Sequence, residues 1–429
     1  MTDGLLRVVT AGSVDDGKST LVGRLLYDSR VVMVDQLSAL EEASERLGYD
    51  GAELALLTDG LRAEREQGIT IDVAYRYFAT AHRSFVMADT PGHVQYTRNM
   101  VTGASTADVA VVLVDARAGV LEQTRRHLAV AALLRVGHIV LAVNKMDLVD
   151  FSEERFDELA ETASEVLARL EFSPRSPISS RHTHLTAVPV VATDGDNVVS
   201  RSERMPWYAG IPLLELLESI PVSRVDSVAG RFPVQLVIRP RTAGYRDFRG
   251  YAGRVAAGTL RLGDEVTVLP SGRTSTITAV ETADGELKEA ELDRSVVLRL
   301  ADDLDIARGD VIAGPGDGPA VTRSIVATLC WLAEEPLSAE RSYRIRHSTR
   351  DVRGTVKVLD RLNVSTLDSS PADSLALNDL GRVSLSTTEP LVVDRYAESP
   401  RTGSLVLVDE LTGATLAAGM VVDILADSS

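Results

Sequence analysis

The chain has 429 residues and a formal net charge of −17. This length predicts about three ordinary domains, and the acidic balance disfavours a broad basic surface for nucleic acid. The single cysteine, Cys330, excludes an internal disulfide, and no apolar run reaches the ~20 residues that cross a bilayer. We therefore expect a cytoplasmic protein without a nucleic-acid or membrane partner.

The first 222 residues alternate continuous apolar runs with amphipathic helical pattern, which is typical of a parallel sheet covered on both faces. Another run, Val73–Phe78, alternates and is expected to pair antiparallel with the strand near Ser84. In the helical stretch that follows residue 120, Gly137 is expected to act as the C-cap. The pattern predicts a doubly wound α/β domain over residues 1–222. Its candidate strands are Arg7–Ala11, Ser84–Ala88, Val109–Val114, His138–Val143 and Val188–Val191.

The sequence changes character after Pro221, where short β-type runs are separated by glycines. A second break falls in the glycine-rich stretch Ala313–Ser324. We expect one small β-barrel over residues 223–319 and another over residues 320–429.

A phosphate-binding motif follows the first predicted strand and opens the first predicted helix. Its glycines let backbone N–H groups converge on phosphate oxygens, Lys18 reaches the terminal phosphates, and the Ser19 hydroxyl is a ligand for Mg²⁺. An ordinary tight turn is the alternative, which this strand-to-helix context disfavours. The predicted nucleotide-binding residues here are Gly12, Ser13, Val14, Asp15, Asp16, Gly17, Lys18, Ser19 and Thr20.

Two further motifs indicate a guanine nucleotide. The stretch "ADTPGH" places Asp89 at the end of an apolar strand as a Mg²⁺ ligand, with the Gly92 N–H sensing the terminal phosphate. On its own this pattern would more often be a turn. In "NKMD", which spans Asn144 to Asp147 and includes Lys145, the final carboxylate is able to accept the N1–H and amino protons of guanine.

These three motifs, in this order, resemble those of the translation-factor-like GTPases. Within that superfamily, "GSVDDGKSTLVGRLLYDS", "LTDGLRAEREQGITIDVAYRYF" and "ADTPGHVQYTRNMVTGASTADVAVVLVDAR" are most similar to the large GTPase subunits of bacterial heterodimeric sulfate adenylyltransferases. The resemblance extends through both predicted barrels. Elongation factor Tu typically has His and Thr where this chain has Asp16 and Ser19.

The resemblance assigns roles to more residues. Thr70 matches the switch threonine that binds Mg²⁺ together with Ser19 and Asp89, and His93 matches the residue that orients the attacking water. Lys18 and Thr70 join His93 as the catalytic set that the resemblance implies. A strand threonine and a loop histidine are the structural alternatives.

The last nucleotide-binding element departs from the family pattern. Relatives usually read Ser-Ala-Leu where this chain has Val191-Ala192-Thr193, so contact with guanine O6 is assigned to the Ala192 N–H while a serine hydroxyl is lost. The polar stretch before it, residues 172–186, is longer than expected. Two histidines there, His182 and His184, lack the carboxylate or thiolate partners of a metal site.

The phosphate loop also carries two acidic residues, Asp15 and Asp16. Carboxylates near a triphosphate must be compensated, so we expect Asp15 to face the nucleotide through Mg²⁺ or a monovalent cation and Asp16 to face backbone donors or switch residues. The alternative is that both face solvent.

The function that the resemblance implies is GTP hydrolysis that drives synthesis of adenosine 5′-phosphosulfate and pyrophosphate from ATP and sulfate. One phosphate loop and no "SGGxDS"-type loop indicate that a small ATP-binding subunit performs the adenylyl transfer, in a heterodimer or a higher assembly. An elongation-factor-like GTPase that delivers aminoacyl-tRNA is the alternative. A fused adenylyl-sulfate kinase is disfavoured because the sequence leaves no room for a second phosphate loop. Sulfur assimilation and a dedicated sulfation route would use the same residues.

Overall fold

A computed structural model of the chain describes residues 3–29, 74–90, 97–172, 183–222, 228–240, 248–363, 366 and 368–426. Contacts divide the chain into two compact units, residues 1–223 with 364–368, and residues 224–363 with 369–429. No helix in these described ranges has the length and apolar character that a membrane span requires.

The first unit is an α/β domain, in which helices alternate with the parallel strands along the chain. Its helices are α1 (Lys18–Asp28), α2 (Thr97–Ala104), α3 (Glu122–Leu133), α4 (Glu153–Phe172) and α5 (Leu213–Ser219), with a short 3-10 helix at Met146–Val149. Its strands are β1 (Asp3–Ala11), β2 (Ala74–Ala79), β3 (Arg83–Asp89), β4 (Val109–Asp115), β5 (His138–Asn144) and β6 (His184–Pro189).

The six strands form one sheet in the order β2-β3-β1-β4-β5-β6. All neighbours are parallel except β2 and β3, which form the antiparallel edge hairpin expected from the sequence. Every residue of β4 is buried, as a continuous apolar run in a sheet covered on both faces requires. The predicted doubly wound domain is confirmed. Strand order reverses at β1, where such folds bind ligands at the carboxyl ends of the strands.

Two sequence-based boundaries in this domain are wrong. The last strand, β6, ends at Pro189 instead of running from Val188 to Val191, because the chain turns at Val191, which pairs with Asp196. Helix α3 ends at Leu133, before Gly137. Arg135 adopts the left-handed conformation. The Arg135 N–H donates to the Ala132 carbonyl and the Val136 N–H donates to the Ala131 carbonyl, and these two bonds end the helix. The cap expected of a glycine is therefore made by an arginine.

The second unit begins with a closed six-stranded antiparallel barrel. The ring runs β10-β15-β7-β8-β14-β11, and pairing between β10 and β11 closes it. Alternating burial along β11 places one face in the barrel core and the other outside. The strands of this part are β7 (Arg231–Ile238), β8 (Gly250–Arg254), β9 (Leu260–Arg261), β10 (Glu265–Leu269), β11 (Arg273–Thr282), β12 (Gly285–Leu287), β13 (Glu289–Ala290), β14 (Ser295–Leu300) and β15 (Val311–Ala313).

A second closed six-stranded barrel follows. Its ring runs β17-β21-β22-β16-β20-β18, and β17 pairs with β18 to close it. The core holds Trp331 packed edge-on against Tyr343, with ring centroids 6.1 Å apart. The strands are β16 (Ala320–Trp331), β17 (Ser342–His347), β18 (Arg350–Leu362), β19 (Ser369–Pro371), β20 (Leu380–Val393), β21 (Ser404–Val408) and β22 (Thr415–Ile424).

A buried ion pair joins the two barrels. Arg231 at the start of β7 lies 3.1 Å from Asp394, which follows β20, and both side chains are almost fully buried. The two barrels group into one unit by their contacts. The boundary predicted between residues 319 and 320 falls between β15 and β16, and the division into three domains stays a prediction.

Candidate functional site: a nucleotide pocket at the carboxyl ends of the strands

The phosphate loop lies between β1 and the first turn of α1. Gly17 takes the left-handed conformation as the N-cap of α1, and a Cβ at this position would collide with the Asn144 side chain. A glycine is therefore required both for backbone conformation and for space. The loop ends at the amino terminus of a helix, where free N–H groups and the helix dipole favour an anion.

Lys18 reaches back across this loop. Its Nζ donates hydrogen bonds to the carbonyl oxygens of Gly12 at 2.9 Å and Ser13 at 2.7 Å. Burial lowers the pKa of Lys18, while the nearby carboxylates of Asp89 and Asp16 act to raise it. The loop thus holds a poorly hydrated cation beside its backbone, which is the environment a phosphate-binding lysine needs.

The two acidic residues of the loop face opposite surroundings. Asp16 is buried, and its Oδ2 accepts the Ser13 N–H at 2.5 Å, as expected for a carboxylate that faces backbone donors. Burial raises the pKa of Asp16, and the Ser13 hydrogen bond and the charge of Lys18 partly offset this. Asp15 is exposed with a φ of 65°, and its carbonyl accepts Lys145 Nζ at 2.5 Å. The buried Asp16 carboxylate therefore stabilises the loop through its hydrogen bond to the Ser13 N–H.

One predicted magnesium ligand, Asp89, lies at the end of β3. Asp89 is buried beside Thr10 of β1, whose hydroxyl donates to Asp89 Oδ1 at 2.8 Å, and its charge acts on Lys18. Ser19 follows Lys18 in the first turn of α1. Three predicted residues, Thr70, Gly92 and His93, lie outside the described residues.

The predicted base-reading motif is assembled around one amide side chain. Asn144 Nδ2 donates to the Asp16 carbonyl at 2.8 Å, and Asn144 Oδ1 accepts the Ala192 N–H at 3.0 Å. Asn144 therefore connects the loop between β1 and α1 to the turn that follows β6. Asp147 lies on the 3-10 helix, where its half-buried carboxylate has no hydrogen-bond or ion-pair partner among the described residues.

A charged cluster that the sequence analysis did not assign supports this motif. Asp115 ends β4 opposite Asn144 of β5, and its carboxylate accepts Lys145 Nζ at 3.0 Å and Arg117 Nη2 at 2.7 Å. Burial would raise the pKa of Asp115, but the hydrogen bonds from Arg117 and Lys145 outweigh it and hold that pKa well below its ordinary value. The signal available in sequence was an acidic residue at the end of a buried parallel strand.

A buried histidine behind the loop was also missed. His127 of α3 is fully enclosed and hydrogen-bonded to the backbone of Gly12. Burial, with a smaller contribution from the charge of Lys18, lowers its pKa to about 3 from an ordinary 6.5. The imidazole is therefore neutral in the folded domain at neutral pH.

This histidine predicts a pH dependence of stability. Because the folded pKa lies below the unfolded one, the unfolded chain binds the extra proton, and the stability contribution present above pH 6.5 is lost as the pH falls towards 3. Between pH 7 and pH 5 we expect the first unfolding transition of the unaltered chain to lose about 2 kcal/mol more than that of His127→Gln. Urea titrations at both pH values measure this difference, with the exposed His82→Gln as control. Equal losses in all three proteins would contradict the assignment.

Taken together, the fold and this site define a phosphate-loop GTPase of the translation-factor type. The family model described as "Elongation factor Tu GTP binding domain" matches residues 3–223, and the one described as "GTP-eEF1A C-terminal domain-like" matches residues 324–422. The first of these covers just over half of the chain. The chain therefore has a GTP-binding domain followed by barrels of the translation-factor kind.

Relatives along nearly the whole chain are more specific. A protein named "Bifunctional enzyme CysN/CysC" from Mycobacterium tuberculosis is 53% identical over 421 residues, which is 97% of this chain and 67% of that protein. Two proteins named "Sulfate adenylyltransferase subunit 1" are 49% identical (Aeromonas salmonicida, 98% of this chain and 88% of that protein) and 48% identical (Bacteroides fragilis, 98% and 86%). The chain belongs to the sulfate adenylyltransferase subunit 1 family. The elongation-factor alternative is less well supported.

Proposed function

We propose that this chain hydrolyses GTP and that this hydrolysis drives the reaction of ATP with sulfate to adenosine 5′-phosphosulfate and pyrophosphate on a partner subunit. One observation supports it above the others. Lys18 at the start of α1 and Asn144 at the end of β5 both bond to the loop between β1 and α1, and the charge of Asp89 at the end of β3 acts on Lys18, in a chain of the sulfate adenylyltransferase subunit 1 family. These described residues match the part of a guanine-nucleotide pocket that the motifs predict.

The roles within the pocket follow from the chemistry of each group. Residues 12–20 would surround the phosphates, with Lys18 turning from the loop carbonyls to the terminal phosphates. Asp147 would accept the two guanine protons, and Lys145 would support the loop through Asp15. The Ala192 N–H donates to Asn144 Oδ1 in this structure and would turn to the guanine C6 carbonyl when the nucleotide binds.

The residues present also fit a magnesium ion. The Ser19 hydroxyl in the first turn of α1 and the buried Asp89 carboxylate at the end of β3 are hard oxygen donors, and Thr70 would add a third when the terminal phosphate is bound. When bound, the ion would neutralise phosphate charge. His93 would orient the attacking water, and Asp15 would face a monovalent cation.

The partner is proposed to be a small subunit that carries the ATP site. Formation of the anhydride between sulfate and phosphate is unfavourable. A subunit that hydrolyses GTP would provide the free energy for this step, which explains why the two subunits would form one complex. Coupling would require that the states of the switch residues around Thr70 and His93 change the partner's active site. Because GTP and ATP are cytoplasmic nucleotides, we propose that the complex works in the cytoplasm.

Reconstitution tests this function. The chain is mixed with the candidate small subunit, ATP and sulfate, and adenylyl sulfate is followed by chromatography with GTP, without GTP, and with a GTP analogue that cannot be hydrolysed. We expect rapid formation only with hydrolysable GTP. Equal rates in all three mixtures would overturn the proposed coupling.

A further inference from the structure

The turn that follows β6 begins with an apolar residue. The side chain of Val191 is buried, and it has no polar atom that could hold the turn by a hydrogen bond. The next residue nevertheless has to present its backbone at a fixed position, because its N–H lies 3.0 Å from Asn144 Oδ1. Backbone hydrogen bonds close the turn, from the Val191 N–H to the Asp196 carbonyl and from the Gly195 N–H to the Val191 carbonyl. A side chain from another element adds to them.

Arg24 of α1 contacts this turn directly. Its Nε donates to the Ala192 carbonyl at 3.2 Å, and its Nη2 donates to the Thr193 carbonyl. Asp28, one helical turn later, lies 3.5 Å from Arg24 Nη1, and the arginine side chain is only 18% exposed. Gly195 closes the turn with a φ of 90° and packs near Arg24 Cδ. The guanidinium is therefore held by the carbonyls of the turn on one side and by the Asp28 carboxylate on the other.

These two bonds fix the direction of the backbone N–H groups. A peptide unit is planar, and in the trans form its C=O and N–H point in opposite directions. Drawing the carbonyls of Ala192 and Thr193 towards α1 therefore turns the N–H groups of the same peptide units, which belong to Thr193 and Asp194, away from it. A guanidinium suits this task because its donors form a rigid planar fork.

We infer that Arg24 is a positioning residue for base recognition: it holds the 192–195 turn so that the backbone N–H groups of Thr193 and Asp194 face the C6 carbonyl of a guanine nucleotide. This inference rests on the proposed function. Arg24 lies six residues after Lys18 in the same helix, so one rigid element carries the phosphate-binding lysine and the support of the base-reading turn.

Three diphosphates separate this role from a general structural one. GDP and IDP share the C6 carbonyl, whereas ADP has an amino group there, and only GDP has the 2-amino group that Asp147 would read. With Arg24→Ala we expect GDP and IDP to bind more weakly by the same factor, roughly tenfold, as loss of charge-assisted hydrogen bonds predicts. ADP binding should be unchanged, so discrimination between GDP and ADP narrows. Competition against a fluorescent GDP measures all three affinities.

Matched variants keep the test informative. Arg24→Lys retains one cationic donor and should recover part of the lost affinity. Arg126→Ala removes another helical arginine that pairs with an acid one turn away, Glu122, and should bind all three nucleotides as the unaltered chain does. If the unaltered chain binds no GDP, the proposed function fails together with this inference. If it binds GDP and Arg24→Ala either keeps full affinity or loses GDP, IDP and ADP binding equally, only the role of Arg24 is overturned.

Discussion

Replacing Lys18 with alanine is expected to weaken GTP binding by about 100-fold or more and to abolish GTP-dependent synthesis of adenylyl sulfate. Lys18 is a buried cation whose two described hydrogen bonds, to Gly12 and Ser13, lie within the loop. Two charge-assisted hydrogen bonds to phosphate oxygens in a poorly hydrated site contribute about 3–5 kcal/mol together. The loss should therefore affect affinity far more than folding.

Calorimetric titration of GTP into the purified chain measures this effect. Lys357→Ala is the matched control, because Lys357 is exposed on β18 of the other unit. The control should bind GTP normally, and the melting temperatures of both variants should stay near that of the unaltered protein. Unchanged GTP affinity in Lys18→Ala would show that the triphosphate is bound elsewhere.

Replacing Asp147 with asparagine is expected to reverse the base preference from guanine to xanthine. Xanthine has a carbonyl where guanine has its 2-amino group, so the asparagine amide donates where the carboxylate accepted. Sites built to pair with a polar group discriminate strongly against analogues that lack it, so the ratio of GTP to XTP affinity should change by about 100-fold or more. Hydrolysis rates with each triphosphate give the same ratio kinetically.

The neighbouring Asp150 provides the control for this substitution. Asp150 is exposed, three residues away, and its left-handed backbone conformation is one that asparagine also tolerates. Asp150→Asn should keep the preference for GTP. If Asp147→Asn also keeps it, groups other than Asp147 read the base, and the interpretation of the motif is wrong.

The helices and strands of the fold could be predicted from the sequence because they depend mainly on the residues within each segment. Strands β4 and β5 are nearly continuous apolar runs, and the hairpin of β2 and β3 alternates and turns within a few residues. The end of β6 was misplaced because "VPVVA" is apolar throughout while the chain turns at Val191. Hydrophobicity alone does not distinguish a strand from a buried turn.

The same distinction between local and non-local causes applies to the candidate site. The loop of Gly12 to Ser19 and the "NKMD" motif have fixed spacing, so their residues were named from the sequence. Arg24, Asp115 and His127 were not, because each acts through contacts between segments that are distant in the chain. An arginine in an amphipathic helix or a histidine in "RRHLAV" has no spacing that indicates its partner.

The central claim is that GTP hydrolysis drives an unfavourable reaction forward. The ratio of products to substrates of that reaction tests the claim most directly. The chain, the small subunit, ATP and sulfate are brought to equilibrium, GTP is added, and adenylyl sulfate, pyrophosphate, ATP and sulfate are quantified while GTP is consumed. The account predicts that the ratio of products to substrates rises above its equilibrium value and returns to it once GTP is exhausted. A ratio that stays at the equilibrium value while GTP is hydrolysed would contradict the account.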